Sequence, residues 1–214
     1  MHSRRLIVHG AGGHGKVVAE AAASSGWHVL GFTVDGPGAP EDGLLGLPVL
    51  ARTIDELRDL CLRENASAIV AVGDNAARKE IFERCLRAGI PLATIVHRGA
   101  LVSPSARLGR GAVVLAGAAI NASAELGDDA IVNTAASVDH DAVLEDHVHI
   151  SPGAHLGGAV RIGEGTHVGI GASVRNNVAV GRWSVIGAGS AVVGDIPDRV
   201  VAYGVPARVV RANG

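Results

Sequence analysis

Hydrophobic positions along the chain follow two rhythms, and the change between them comes near residue 100. In the first stretch, short apolar runs alternate with segments of helical composition. Residues 5–9, 28–34, 68–72 and 91–96 predict strands, and residues 16–25, 53–64 and 76–88 predict helices. Turn-forming residues mark the joins at Gly26, Asp35-Gly36-Pro37-Gly38, Gly73-Asp74-Asn75 and Gly89. Strands alternating with helices predict a small parallel sheet.

From Val102 the period becomes six. Sixteen aliphatic residues in succession, from Val102, Leu108 and Val114 through to Ile186 and Val192, stand six apart without a miss. Four places after each of the first fifteen sits a small or compact residue, such as Ala106, Ala112, Thr166 or Ser184. Neither a helix nor a simple strand has this period. A short repeat predicts a solenoid whose units bury their apolar faces on one another. The expected form is a coil of three flat sides with one hexapeptide per side. Large aliphatics fill the interior, small residues sit at the bends, and coils stack about 4.8 Å apart. The repeat runs unbroken, so no long loop is expected to leave the coils. Its handedness does not follow from the pattern, and right-handed crossovers are the general rule.

Composition narrows the function. The formal net charge of the 214 residues is −2, which gives no basic footprint for nucleic acid and no polybasic membrane patch. No apolar run reaches the roughly 18 residues of a membrane span, and no leader segment is expected. Cys61 and Cys85 stand alone, without metal-type spacing, and read as reduced thiols of a cytoplasmic protein.

Two constellations carry chemistry. Gly10-Ala11-Gly12-Gly13-His14-Gly15 fits G-x-G-x-x-G between a strand and a helix, and Asp35 follows near the end of the second strand. Glycines let the backbone approach a phosphate, and the helix N-terminus stabilises its charge. The segment is half of a full dinucleotide fold and no dehydrogenase domain follows, which favours a nucleotide-sugar over NAD. His14 would donate to a phosphate or only shape the turn. The second constellation is Asp139-His140-Asp141. Histidine titrates near working pH, and an adjacent carboxylate raises its basicity and holds its tautomer. Strand geometry would send His140 and Asp141 to opposite faces, so they can pair only at a coil corner. His149 and His167 are 18 residues apart, one full coil, and should stack. His2, His9, His28 and His97 show no acidic neighbour and read as structural or exposed. Arg208 and Arg211 would meet phosphates or belong to a solvated tail.

The hexad [Leu/Ile/Val]-[Gly/Ala/Asn/Asp]-x-x-small-x resembles the left-handed β-helix of hexapeptide acyltransferases. The ordered series HGAGGHGKVVAE, VGDNAARKEI, NTAASVDHDAVLEDHVHISPGAHLGG and YGVPARVV spans nearly the whole chain. It resembles the bacterial family of sialic-acid O-acetyltransferases and N-acetyltransferases of nucleotide-linked 4-amino-sugars, such as a UDP-bacillosamine precursor or GDP-perosamine. The resemblance implies an α/β N-terminal domain with a small parallel sheet (1–100), a left-handed parallel β-helix (101–195) and a tail near coenzyme A (196–214).

It further implies a homotrimer with active sites between subunits and acetyl-CoA as cosubstrate, with no metal required. His140 and Asp141 match its catalytic pair, although the family usually has Glu at position 141. His149 matches a contact to the thioester region, and Gly158 a backbone N–H donor to the thioester oxygen. Ile170 and Ala188 match positions lining the pantetheine arm, and Arg208 lies in the segment closing over coenzyme A. Gly12, Gly13, His14, Asp35, Gly73 and Asn75 match nucleotide-sugar contacts. Two readings of other classes are a zinc hydro-lyase using His147, His149, His155 and His167 across a subunit boundary, and a non-catalytic nucleotide-sugar sensor.

Overall fold

The computed structural model describes residues 4–36 and 43–213, and it divides into two compact units that meet in sequence at Arg98/Gly99. His2 and the turn beyond Gly36 lie outside the described residues.

The first unit contains β1 (Arg4–His9), α1 (Gly13–Ser24), β2 (Trp27–Thr33), β3 (Val49–Ala51), α2 (Ile54–Glu64), β4 (Ala66–Val70) and α3 (Asn75–Arg87). The four strands form one parallel sheet in the order β3-β2-β1-β4. β1 is central, so it reads as the unbroken apolar run Leu6-Ile7-Val8, all fully buried. One side of the core joins Ile7, Leu57, Val70 and Phe82 to both cysteines. Thr53 and Asp74 cap α2 and α3, accepting from Glu56 N at 3.2 Å and Ala77 N at 2.9 Å. The expected strand at 91–96 shrinks to Ile95–Val96, with Leu92 bridged to Ala68. Pro91 has no N–H to give a ladder, which keeps the segment short.

Two glycines explain how α1 meets the sheet. Gly10 turns out of β1 at φ 124°, and a Cβ there would lie 2.5 Å from the Ala71 carbonyl oxygen. A Cβ on Gly15 would lie 2.0 Å from the Gly10 carbonyl oxygen. The helix therefore sits on the loop that precedes it, as only glycine permits.

The second unit is the three-sided solenoid. Each coil gives one two-residue strand per side, and strands 18 residues apart pair in parallel register, as Ser137–Val138 does with His155–Leu156. The first side runs from Leu101–Val102 to Ala191–Val192, the second from Arg107–Leu108 to Ala179–Val180, and the third from Val113–Val114 to Val185–Ile186. The interior is aliphatic: Ile120, Val138, Leu144, Ile150 and Val168 are all at most 1% exposed. Where the small position carries a hydroxyl, the hydroxyl is satisfied inside the coil. Thr166 Oγ1 donates to the Gly181 carbonyl at 2.6 Å and accepts from Ser184 N at 3.0 Å. The last residues form an antiparallel hairpin, Val200–Gly204 with Ala207–Ala212, whose first strand adds to the third side beside Val185–Ile186. The segment that the resemblance places near coenzyme A is this hydrogen-bonded hairpin.

Candidate nucleotide cleft and catalytic corner

The first site lies at the carboxyl ends of β1, β2 and β4, where open α/β sheets hold ligands. A cleft of about 390 Å³ is lined there by His9, Gly12, Gly13, His14, Asp35 and Gly73, among others. α1 begins at Gly13, three residues earlier than expected, so the glycine loop itself forms the first helical turn. Gly12 takes the first helical bond, from Lys16 N at 3.2 Å, and the first-turn N–H groups have no intrahelical acceptor. Nothing lies within 4 Å of where a Cβ would stand on Gly12 or Gly13. Open backbone at a helix N-terminus is a ready anion site.

His14 sits in this turn, and burial together with the nearby Arg78 lowers its pKa to about 4. It is therefore neutral at pH 7 and can offer a phosphate an N–H but no charge. The local positive charge comes from Arg78, which sequence reasoning missed. Its guanidinium is fully buried and donates to Asn75 Oδ1 at 2.8 Å and the Val72 carbonyl at 3.3 Å. Asn75 stands behind the lining, with its amide oxygen committed to Arg78. Asp35 forms an ion pair with Arg84 of α3, a pairing across 49 positions that no local motif announces. A larger hollow of about 800 Å³ lies at the amino ends of β1 and β2. Its cations are engaged, Arg4 over the Trp27 ring at 4.4 Å and Arg5 with Glu64 at 2.7 Å, and no glycine loop opens into it.

The second site is the corner joining the first side of the solenoid to the second. Asp141 adopts φ 59° there, which breaks strand alternation and brings its Oδ2 to 2.8 Å from His140 Nδ1. The condition set by the sequence for this pair is met. Asp139 Oδ1 accepts from His140 N at 2.7 Å and from Asn121 Nδ2 at 2.8 Å, which anchors the corner. Asn121 was missed, although it stands 18 residues before Asp139, directly one coil away. The Asp141 hydrogen bond, and then the charge of Asp139, raise the His140 pKa above its usual 6.5.

Beneath the imidazole lies Gly158. A Cβ there would stand 2.6 Å from both Cε1 and Nε2 of His140. The Gly158 N–H finds no acceptor among the described residues. One corner thus joins a basic imidazole, its carboxylates and an open N–H.

The other implied residues lie elsewhere on the prism. His149 and His167 stack on the third side with ring centroids 4.7 Å apart, as their spacing predicted. Asn133 Nδ2 approaches His149 Nε2 at 3.2 Å, and Ser151 Oγ approaches His167 Nε2 at 2.7 Å. Ile170 and Ala188 share the corner between the third and first sides, where Ile170 is 62% exposed. Arg208 is on the terminal hairpin, donating to the Ala207 carbonyl. By coil order the His140 corner is opposite the side that carries His149, so one chain does not bring these sets together. His155 belongs to the first side, His147 is buried against Asp129 at 2.9 Å and His149 stacks on His167 on the third side, so the four histidines considered for zinc do not converge within one chain. No group of three metal-ligating side chains occurs among the described residues.

Comparison with known proteins agrees with this architecture. Residues 5–85 match the PglD N-terminal domain. The chain is 39% identical to perosamine N-acetyltransferase from Caulobacter crescentus, whose structure contains CoA and GDP-perosamine; 96% of each chain is covered, with a TM-score of 0.89. It is 43% identical to the acetyltransferase domain of PglB from Neisseria gonorrhoeae FA1090, in complex with acetyl coenzyme A; 97% of this chain and 100% of that one are covered, with a TM-score of 0.89. A curated relative, UDP-N-acetylbacillosamine N-acetyltransferase of Bacillus subtilis (strain 168), is 41% identical over 116 residues. That match covers 52% of this chain and spans about half the length of the relative, 51%. The fold is an α/β domain followed by a left-handed parallel β-helix. The chain belongs to the family of hexapeptide-repeat sugar acetyltransferases that these structures represent.

Proposed function

We propose that this protein transfers the acetyl group of acetyl-CoA to the amino group of a UDP- or GDP-linked 4-amino-4,6-dideoxy sugar. The observation that carries this reading is the His140–Asp141 pair seated over the open N–H of Gly158. The substrate amine attacks the thioester carbonyl, and His140 Nε2 takes the proton that nitrogen sheds. Asp141 on Nδ1 holds the tautomer that leaves Nε2 free to accept it. Gly158 N–H stabilises the developing oxyanion, and the coenzyme A thiolate departs. An acyl-cysteine route has no support: Cys61 and Cys85 are buried in the first unit, and burial pushes the Cys61 thiol up to about 11.

The glycine loop supports binding of the diphosphate, with Gly12, Gly13 and His14 in contact, Asp35 and Gly73 alongside, and Asn75 acting through Arg78. His149, Ile170, Ala188 and Arg208 are assigned to acetyl-CoA. Their separation from the His140 corner within one chain supports a homotrimer, in which a neighbour completes each site. Reduced thiols and the use of acetyl-CoA support a cytoplasmic setting.

Thiol release from acetyl-CoA, measured against UDP- and GDP-linked 4-amino-sugars, free sialic acid and buffer, tests the reading. Turnover is expected with one amino-sugar nucleotide and should survive EDTA. Turnover with sialic acid alone would move the assignment to O-acetylation, and no turnover with any acceptor would leave a binding protein.

The pH dependence has a defined sign. A general base works only when unprotonated, so activity falls as pH drops through the His140 pKa, which lies above 6.5. Asp141→Asn removes the largest cause of that elevation. The acid limb of kcat/KM should move to lower pH while the plateau falls. An unmoved limb would mean that Asp141 does not tune the base.

A further inference from the structure

His9 is the last residue of β1 and forms part of the cleft wall between the glycine loop and Asp35. It is 1% exposed. Its Nδ1 lies 2.9 Å from Thr33 Oγ1, on the residue that pairs with it in β2. No partner for Nε2 occurs among the described residues. His9 lines the cleft, so a ring nitrogen with no protein partner there is available to a ligand. Burial lowers the His9 pKa, with Asp35 opposing and Arg84 reinforcing this, which leaves a neutral imidazole at pH 7.

Resting on the nucleotide reading of the cleft, we infer that His9 binds a ribose hydroxyl of the nucleotide-sugar through Nε2. The position decides in favour of ribose. In sheets of this kind the diphosphate lies on the loop after the first strand, and the ribose lies toward the acid that follows the second. His9 stands between Gly10 and Asp35, on the strand end that leads into the loop. The chemistry agrees. A neutral imidazole presents Nε2 as donor or acceptor depending on which way the Thr33 hydroxyl points, and a hydroxyl group answers either. A base edge would require one tautomer. Thr33 is then a positioning residue that orients the ring.

The test is calorimetric binding of UDP, GDP and their 2′- and 3′-deoxy analogues to the full-length protein, beside KM values for both substrates. His9→Leu should weaken whichever nucleoside diphosphate the wild type prefers by about tenfold, the value of one lost hydrogen bond. It should also reduce the preference for that ribonucleotide over one deoxy analogue, with KM for acetyl-CoA unchanged. His9→Gln, whose Nε2 reaches a similar point, should recover part of both effects, and it carries the test if the leucine variant does not fold. Wild-type binding with unchanged ribose preference in the variants would overturn the role of His9 alone. Failure of the wild type to bind either nucleotide would overturn the cleft assignment, and His9 with it.

Discussion

His140→Ala is expected to lower kcat by about 10²–10⁴-fold, the usual contribution of a positioned general base. KM for acetyl-CoA and the melting temperature should change little. The His140 side chain is 58% exposed and Asp141 64%, so neither packs the core, and no cavity follows truncation. The corner keeps its shape because Ala159 N bonds the carbonyl of residue 140 at 2.9 Å and Asp141 N bonds the Ala122 carbonyl at 3.0 Å, both through the main chain. Single-turnover thiol release with bound nucleotide-sugar measures the effect. A variant retaining more than about a tenth of wild-type kcat would show that another group takes the proton.

Gly158→Ala should be nearly as damaging, for a different reason. Gly158 is outside the left-handed region, so alanine fits its backbone. Its methyl would nevertheless stand 2.6 Å from Cε1 and Nε2 of His140, closer than carbon and nitrogen approach. The imidazole is exposed and free to rotate about its side-chain bonds, so the ring yields and the coil does not. Swinging outward breaks the 2.8 Å bond to Asp141 and misplaces Nε2. Displacement of a reacting group by about 1 Å costs on the order of 10²-fold in rate. Alanine keeps the N–H, so the variant separates the seating of the base from stabilisation of the oxyanion. The expected result is a loss of about 10²-fold or more in kcat, an acid limb shifted to lower pH, and an unchanged melting temperature. Wild-type kcat in this variant would show that the position of the ring over Gly158 does not matter.

Much of this protein was legible in one dimension. The hexad period specifies the solenoid because each coil must bury one large aliphatic per side, and 18-residue stacking puts Ile150 over Val132 and His149 over Ile131 without further information. The glycine loop, Asp35 and the flanked His140 stood out because their chemistry is local in sequence. Relations between elements were not legible. The Arg84–Asp35 pair, the buried Arg78 behind the loop and the open Nε2 of His9 depend on how α3 and β2 pack against β1. The early start of α1 depends on contact between Gly15 and the Gly10 carbonyl, a meeting of two backbones that composition does not encode.

By itself, then, the sequence determined the division near residue 100, the alternating α/β unit, the three-sided coil and the residue types able to do chemistry. Each follows from short-range periodicity, where burial repeats with the geometry of the backbone. The tertiary structure decided which of those residues meet. It joined His140, Asp141 and Gly158 at one corner and left His149, Ile170 and Ala188 on other parts of the prism. Face and corner are set by where a left-handed residue turns the coil, and Asp141 at φ 59° is the residue that does so beside His140.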